Sequence, residues 1–429
     1  MKKICFFVLI ILLFLLCACA SGTESVPAAV VVSVTATPEP TATPEPTPEP
    51  TPEPTPTPEP PAAELTGALN VYDNVGGVVS LLLDGDRTTR IGYRSGNVLT
   101  IECAEPMSGI YLSWYEPAAS FTVQTESEAV SGGEWEFLHE YIAFSAPTCR
   151  AELSFGGYAP LCEIRAFASG SLPENVQRWL PPAETADVLV MSTHADDDVI
   201  FFGAMIADCV DRGLTVQVAY LVNHYDWQPR PQELLDALWE LGVRHYPVIG
   251  PFPDYYVLSL REAVGCFGED AVKEYQTELL RRFRPLIVFG HDRSGEYGHG
   301  AHMLNSLMLE QSVRLSGDEN AFPASAELYG TWEVPKLYLH LAEENPMLLD
   351  VDIPLDSYGG RTAFEVANDA MQYHESQLIY DHRPQRDNPD YPVYDCRMFG
   401  LVFTQVGVDT EEDILQHVQR SQNGWVTVQ

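Results

Sequence analysis

Thr37 to Pro61 alternate threonine, proline and glutamate, interrupted only by Ala42. Each proline removes a backbone donor and fixes φ, so this stretch can join neither a helix nor a β-ladder and is expected in polyproline II. At about 3.1 Å per residue it would reach roughly 80 Å. A ligand for a proline-binding domain is one use for such a run. Its place between a short leader and a long remainder favours a Pro-rich stalk. Everything that folds compactly must therefore lie on its C-terminal side. The chain has 429 residues, too many for one core, so two or three units are expected.

Charge narrows the partners. Lys and Arg total 24 against 61 Asp and Glu, a formal charge of −37. Only Lys2 and Lys3 are basic before Arg87. Phosphate contacts need clustered Lys and Arg, so nucleic acid is excluded as a partner.

Met1-Lys2-Lys3 followed by the apolar run Ile4 to Leu16 is too short to span a bilayer and reads as a signal peptide over residues 1–18. The following Leu16-Cys17-Ala18-Cys19-Ala20-Ser21-Gly22 resembles a bacterial lipobox. That resemblance implies lipidation of Cys19 and a chain anchored to the cell membrane on its extracytoplasmic face. Plain secretion after a small-residue cleavage site is the other reading. Residues 19–64 form the linker. Beyond the leader, Cys103, Cys149, Cys162, Cys209, Cys266 and Cys396 are scattered without a C-x-x-C pair. A Cys149–Cys162 disulfide and buried free thiols are both open.

Residues 65–170 carry short alternating segments such as Val98–Glu102, Gly109–Trp114, Ser120–Gln124 and Arg150–Phe155, separated by Gly, Pro and Ser clusters. That is the pattern of an all-β sandwich. Leu83-Asp84-Gly85-Asp86-Arg87-Thr88-Thr89 and the close at Cys162–Phe167 resemble discoidin-like, galactose-binding-like domains. The resemblance implies a carbohydrate-contacting module, and a spacer without ligand is equally open.

From residue 186 to 429 the texture changes to apolar runs alternating with helical patterns. Strands are expected at Asp187–Ser192, Thr215–Val222, His245–Ile249 and Pro285–Gly290, with helices at Val199–Arg212, Pro231–Leu241 and Ala271–Phe283. This is an α/β unit with a Rossmann-like parallel sheet, whose chemistry collects at the carboxyl ends of the strands. The first strand ends in His194-Ala195-Asp196-Asp197-Asp198 rather than a Gly-rich turn, which excludes a dinucleotide fingerprint. The last ends in His291-Asp292-Arg293-Ser294-Gly295-Glu296-Tyr297-Gly298-His299-Gly300-Ala301-His302. Taken singly, the three aspartates can serve as a helix cap, and a His-x-x-His pair can decorate a surface helix. Together, at neighbouring strand ends, they offer the imidazole and carboxylate donors of a catalytic zinc site.

These residues resemble the PIG-L (LmbE-like) N-acetylglucosamine deacetylase family, which carries H-P-D-D-E after its first strand and a later G-x-Y-G-H-x-x-H. Arg230-Pro231-Gln232-Glu233 with Ala237 and Leu241-Gly242-Val243, then Val334–Tyr338 and His374–Gln377, resemble further motifs of the family in the same order. The resemblance implies a zinc-dependent carbohydrate N-deacetylase that attacks the acetamido group of N-acetylglucosamine-containing glycans with zinc-activated water. Carried over, His194, Asp197 and His302 would hold Zn²⁺ or another divalent metal, and Asp196 would be the general base. His299, as imidazolium, would stabilise the oxyanion or protonate the leaving amine, with Tyr297 adding a donor. Arg230 would contact substrate, unless it only solvates its helix start or pairs with Glu233. Ala195, Asp198 and Ala301 stand where the family has Pro, Glu and often Asp. The last change leaves Asp292 or Glu296 to orient His299. His224, His245 and His340 are expected to be structural, and His374 to close the pocket. A surface glycan-binding lipoprotein without turnover is the alternative, and the intact His/Asp set counts against it.

Overall fold

A computed structural model describes residues 59–428 apart from Asp381, Glu412 and Asn423. The leader, Cys19 and the proline-rich run up to residue 58 lie outside the described residues.

Seven antiparallel strands build the N-terminal β unit: Asn70–Asp73, Ile91–Tyr93, Val98–Trp114, Phe121–Gln124, Ala129–Gly132, His139–Phe155 and Ala159–Phe167. Segments that read as separate short strands are in fact halves of long ones. Val98–Trp114 and His139–Phe155 each run 17 residues. Their pairing slips between Glu102 and Met107 and again before Gly109. Pro106 and Pro147 stand at this slip, where a residue lacking an N–H costs no ladder bond. The two halves then take different neighbours: Asn70–Asp73 beside the start of Val98–Trp114, and Ala159–Phe167 beside its end. One continuous ribbon thereby wraps a core of Leu99, Ile101, Ile110, Leu112, Trp114, Phe121, Leu153 and Ile164. Residues 61–64, read as linker, pair with this unit: Ala62 N–H donates to Ser171 O at 2.8 Å, and Glu64 meets Arg165 at 2.9 Å. All six described cysteines are free thiols, so Cys149 and Cys162 are not bridged.

The second sheet has six strands in the order Pro346–Leu348, Met398–Thr404, Lys336–His340, Ile287–Gly290, Val188–Ser192, Val216–Tyr220. The last four are mutually parallel, and Met398–Thr404 runs antiparallel to both its neighbours. The sheet is thus mixed rather than wholly parallel, because antiparallel neighbours need no crossover helix. Val188–Ser192 is buried along its whole length, as a strand covered on both faces should be. The strand expected at His245–Ile249 is reduced to bridges from His245 to Leu180 and from Val248 to Ala219. Pro247 between them cannot donate to a ladder. The expected Val199–Arg212 helix is split into Asp197–Ile200 and Gly203–Asp211. Gly203 sits where a Cβ would come within 3.1 Å of Ala367 on the packed helix Ala363–Met371.

The β unit grips helix Arg230–Glu240 of the second unit. Arg87, in the Leu83–Thr89 turn, pairs with Asp236, which also accepts from Gln177 at 2.5 Å. Gln232 and Gln228 donate to the carbonyls of Trp114 and Tyr115 at 2.6 and 2.9 Å. Tyr246 Oη accepts the Leu138 N–H at 3.0 Å. The turn that resembled a sugar-binding family is therefore engaged, through Arg87, by its neighbour.

Candidate active site

Val188–Ser192 and Ile287–Gly290 are adjacent parallel strands with Met191 opposite Gly290. Their following loops must leave the sheet side by side, in the crevice where parallel sheets place chemistry. The second loop is a tight turn. Glu296 has φ 53° and Gly295 φ +71°, and a Cβ on Gly295 would lie 2.4 Å from His299 O. Helix Gly300–Leu315 starts directly after it, with His302 in its first turn. Asn305 Nδ2 ties that helix to the first strand end by donating to Met191 O and Ser192 O at 3.2 Å each and to Thr193 Oγ1 at 2.9 Å.

Three donor atoms converge. His194 Nδ1, Asp197 Oδ2 and His302 Nε2 form a triangle with edges of 3.0, 3.0 and 3.0 Å. All three side chains are buried. For bonds of about 2.0–2.1 Å, tetrahedral zinc sets its ligand atoms about 3.3 Å apart. Two imidazoles and a carboxylate with this spacing fit a divalent cation. Asp197 is held far below the usual carboxylate range, against the effect of burial, by His302 and His194. Asp197 and Glu296 likewise overcome burial to push His302 up to about 10.

His291 lies close enough to form an alternative donor set with Asp197 and His302, but its ring is already committed. Nε2 accepts the Thr193 N–H at 3.0 Å, so Nδ1 carries the proton and donates to Glu296 at 3.0 Å. Glu296 is the hub of this layer. It also accepts from His302 Nδ1 at 2.7 Å and from the Asp292 N–H at 3.0 Å, with His340 Nδ1 at 3.2 Å. A carboxylate on Nδ1 leaves His302 Nε2 as the free donor atom. On the other side, His224 Nε2 accepts the Ala195 N–H at 2.8 Å and its Nδ1 donates to Asp254 at 3.0 Å. Burial would raise Asp254, but His224 and His194 hold it at about 2. His224 and His340 are thus bracing groups, as expected.

Asp196 has φ 114°, a strained conformation for a non-glycine residue. Burial pushes its carboxyl up to about 8, against the pull of Arg230. A carboxyl poised near neutrality can both take and return a proton. Asp198 Oδ1 accepts the Asp196 N–H at 3.1 Å, and burial raises Asp198 to about 7.

Two sequence expectations need correction. His299 gains no orienting carboxylate: its Nδ1 is buried without a partner, Glu296 is taken by other imidazoles, and Asp292 accepts from Ser294. Burial and the neighbouring His194 and His302 push His299 down to about 3, a shift that favours its neutral form. Arg230 pairs with Asp196 at 3.3 Å and Asp254 at 3.7 Å and donates to Ala195 O. Glu233 instead accepts from Ser376. Arg230 therefore holds the His194–Asp198 loop. Tyr297 is half exposed, with its ring 6.0 Å from His299. His374 follows helix Ala363–Met371, fully buried with both ring nitrogens unpartnered.

Residues 189–311 match the PIG-L family model, GlcNAc-PI de-N-acetylase. Within that segment lie His194, Asp196, Asp197, Arg230, His299 and His302. The 1D-myo-inositol 2-acetamido-2-deoxy-alpha-D-glucopyranoside deacetylase 2 of Saccharopolyspora erythraea is 30 % identical over 176 residues, covering 35 % of this chain and 63 % of that protein. The corresponding deacetylase of Mycobacterium leprae is 27 % identical over 184 residues, covering 36 % and 60 %. The match therefore spans less than two thirds of either relative. These relatives are deacetylases of GlcNAc-containing substrates. Among solved structures, N,N'-diacetylchitobiose deacetylase from Pyrococcus horikoshii aligns over 45 % of this chain and 71 % of its own, at 20 % identity and a TM-score of 0.35.

Proposed function

We propose that this chain is an extracytoplasmic, zinc-dependent N-deacetylase of N-acetylglucosamine-containing glycans, tethered to the membrane by lipidated Cys19 and raised on the proline-rich stalk. The observation that carries the reading is the 3.0 Å triangle of His194, Asp197 and His302 donor atoms with Asp196 alongside. A divalent cation held there would supply Lewis acidity and make water easier to deprotonate near neutral pH. Asp196, raised by burial and bonded to Arg230, takes the proton and can return it to the departing amine. Neutral His299 and the Tyr297 hydroxyl each have an X–H group to donate to the oxygen on which negative charge develops. Arg230 fixes Asp196 rather than meeting the sugar.

The test is acetate release from N-acetylglucosamine oligomers and peptidoglycan, with bound metal measured on the same sample and Asp196→Asn in parallel. About one zinc per chain, with acetate from the parent and at least a hundredfold less from the variant, is the expected result. Metal-free protein that binds glycan but releases no acetate would sink the enzyme reading. The tether is tested separately: Cys19→Ser should move the chain from the membrane fraction to the medium.

A further inference from the structure

His299 stands between two exposed tyrosines. Tyr256 meets its ring at 5.6 Å and 70° and is itself 78 % exposed. Tyr297 meets it at 6.0 Å and 80°. They come from opposite sides of the His194–Asp198 loop. Tyr256 follows Phe252–Pro253, which pairs with Val222–Asn223 just past strand Val216–Tyr220, whereas Tyr297 follows Ile287–Gly290 on the other side of Val188–Ser192. Beyond Tyr297 the aromatic surface continues. His382 stacks on Tyr297 at 5.7 Å and 29°, and Tyr380, 59 % exposed, lies 6.0 Å from His382.

The exposed rings of Tyr256, Tyr297 and Tyr380, at the rim of a buried polar centre, keep surface available for stacking. Pyranose rings offer matching apolar C–H faces. The charge of −37 repels phosphorylated or uronic chains and leaves a neutral chain unhindered. Arg230, the cation at the loop, is engaged by Asp196 and Asp254.

We infer that the substrate is a neutral N-acetylated oligosaccharide or polymer laid across the site. Its reacting residue sits over His299, and its neighbours stack on Tyr256 to one side and on Tyr297, His382 and Tyr380 to the other. This rests on the deacetylase reading and adds that the enzyme works on chains rather than on a single sugar.

The experiment uses the full chain in detergent, with N-acetylglucosamine and its β-1,4-linked tetramer as probes. Acetate release should show kcat/KM at least tenfold higher for the tetramer. Tyr256→Ala and Tyr380→Ala should each raise the tetramer KM threefold or more, a larger factor than either raises the monomer's, and Tyr256→Phe should restore the parent KM. Equal kcat/KM for monomer and tetramer, or variants without effect on KM, overturns the chain-binding surface while the deacetylase stands. Tetramer binding to the Asp196→Asn chain, followed by ligand-observed NMR, separates the two claims. Binding that weakens in the Tyr256→Ala background upholds the surface even where no acetate is released from any probe. Absence of binding overturns it.

Discussion

Glu296→Gln is the most informative single change in the site. The side chain is buried, and its oxygens accept from His291 Nδ1, His302 Nδ1 and the Asp292 N–H, with His340 Nδ1 at 3.2 Å. Glutamine keeps the volume and one carbonyl oxygen. If that oxygen stays with His291, His340 and the Asp292 N–H, the new amide N–H₂ faces His302 Nδ1 across 2.7 Å. Two donors cannot face each other, so His302, which must shed one proton to bind a cation, would keep the other on Nε2. That nitrogen is the one aimed at His194 Nδ1 and Asp197 Oδ2, 3.0 Å from each, and once protonated it can no longer accept a cation. Losing a carboxylate behind a ligating imidazole costs about 10–100-fold in metal affinity, which is about 1.4–2.7 kcal/mol. The charge-assisted bond itself is worth about 1.5–3 kcal/mol to the fold. The assay is zinc affinity by chelator competition, with circular dichroism and thermal melting as fold controls. A folded variant that binds zinc within twofold of the parent would refute the reasoning.

Three further perturbations follow from the geometry. His139 is wholly buried, and burial together with the Arg87 cation pushes it down to about 3. The unfolded chain takes up this proton below about pH 6.5 while the native state does not, so stability falls as pH drops from 6.5 towards 3. His139→Gln should reduce the stability lost between pH 7 and 4.5 by roughly 2–3 kcal/mol in urea titrations, and an unchanged difference would show that His139 is not the titrating group. Gly295→Ala forces a Cβ to within 2.4 Å of His299 O at φ +71° and should cost about 2–4 kcal/mol, with zinc affinity falling as the turn moves; a melting temperature equal to the parent's contradicts this. Arg87→Met leaves Asp236 with Gln177 alone, an expected loss of about 1–3 kcal/mol. In a double-mutant cycle with Asp236→Leu the coupling should exceed about 1 kcal/mol, and additive losses would mean the pair does not hold the units together.

The reach of sequence reasoning differs between the two units for a physical reason. Val188–Ser192 and Ile287–Gly290 are buried along their whole length, so they read as apolar runs whose ends mark the His194 and His299–His302 loops. The β unit misled because its two long strands are interrupted by Pro106 and Pro147, and a proline inside a strand reads locally as a boundary. Only pairing with a partner strand reveals that the chain continues. The antiparallel Met398–Thr404 escaped for the same reason: its direction is fixed by Lys336–His340, not by its own residues. Within the site, donors with a conspicuous spacing were legible and their braces were not. Asp254 lies in a loop without periodicity, and its role depends on His224 and Arg230 arriving from elsewhere in the chain. Glu296 was visible as a residue but not as a hub, because nothing local says that His291, His302 and His340 all turn towards it. Arg230 is the instructive case. Its motif suggested a substrate contact, yet the loop it holds supplies two acceptors, Asp196 and the Ala195 carbonyl, that claim it first. An arginine beside a strained, buried carboxylate holds that carboxylate in place, a role that only the folded arrangement of Asp196, Asp254 and the Ala195 carbonyl reveals.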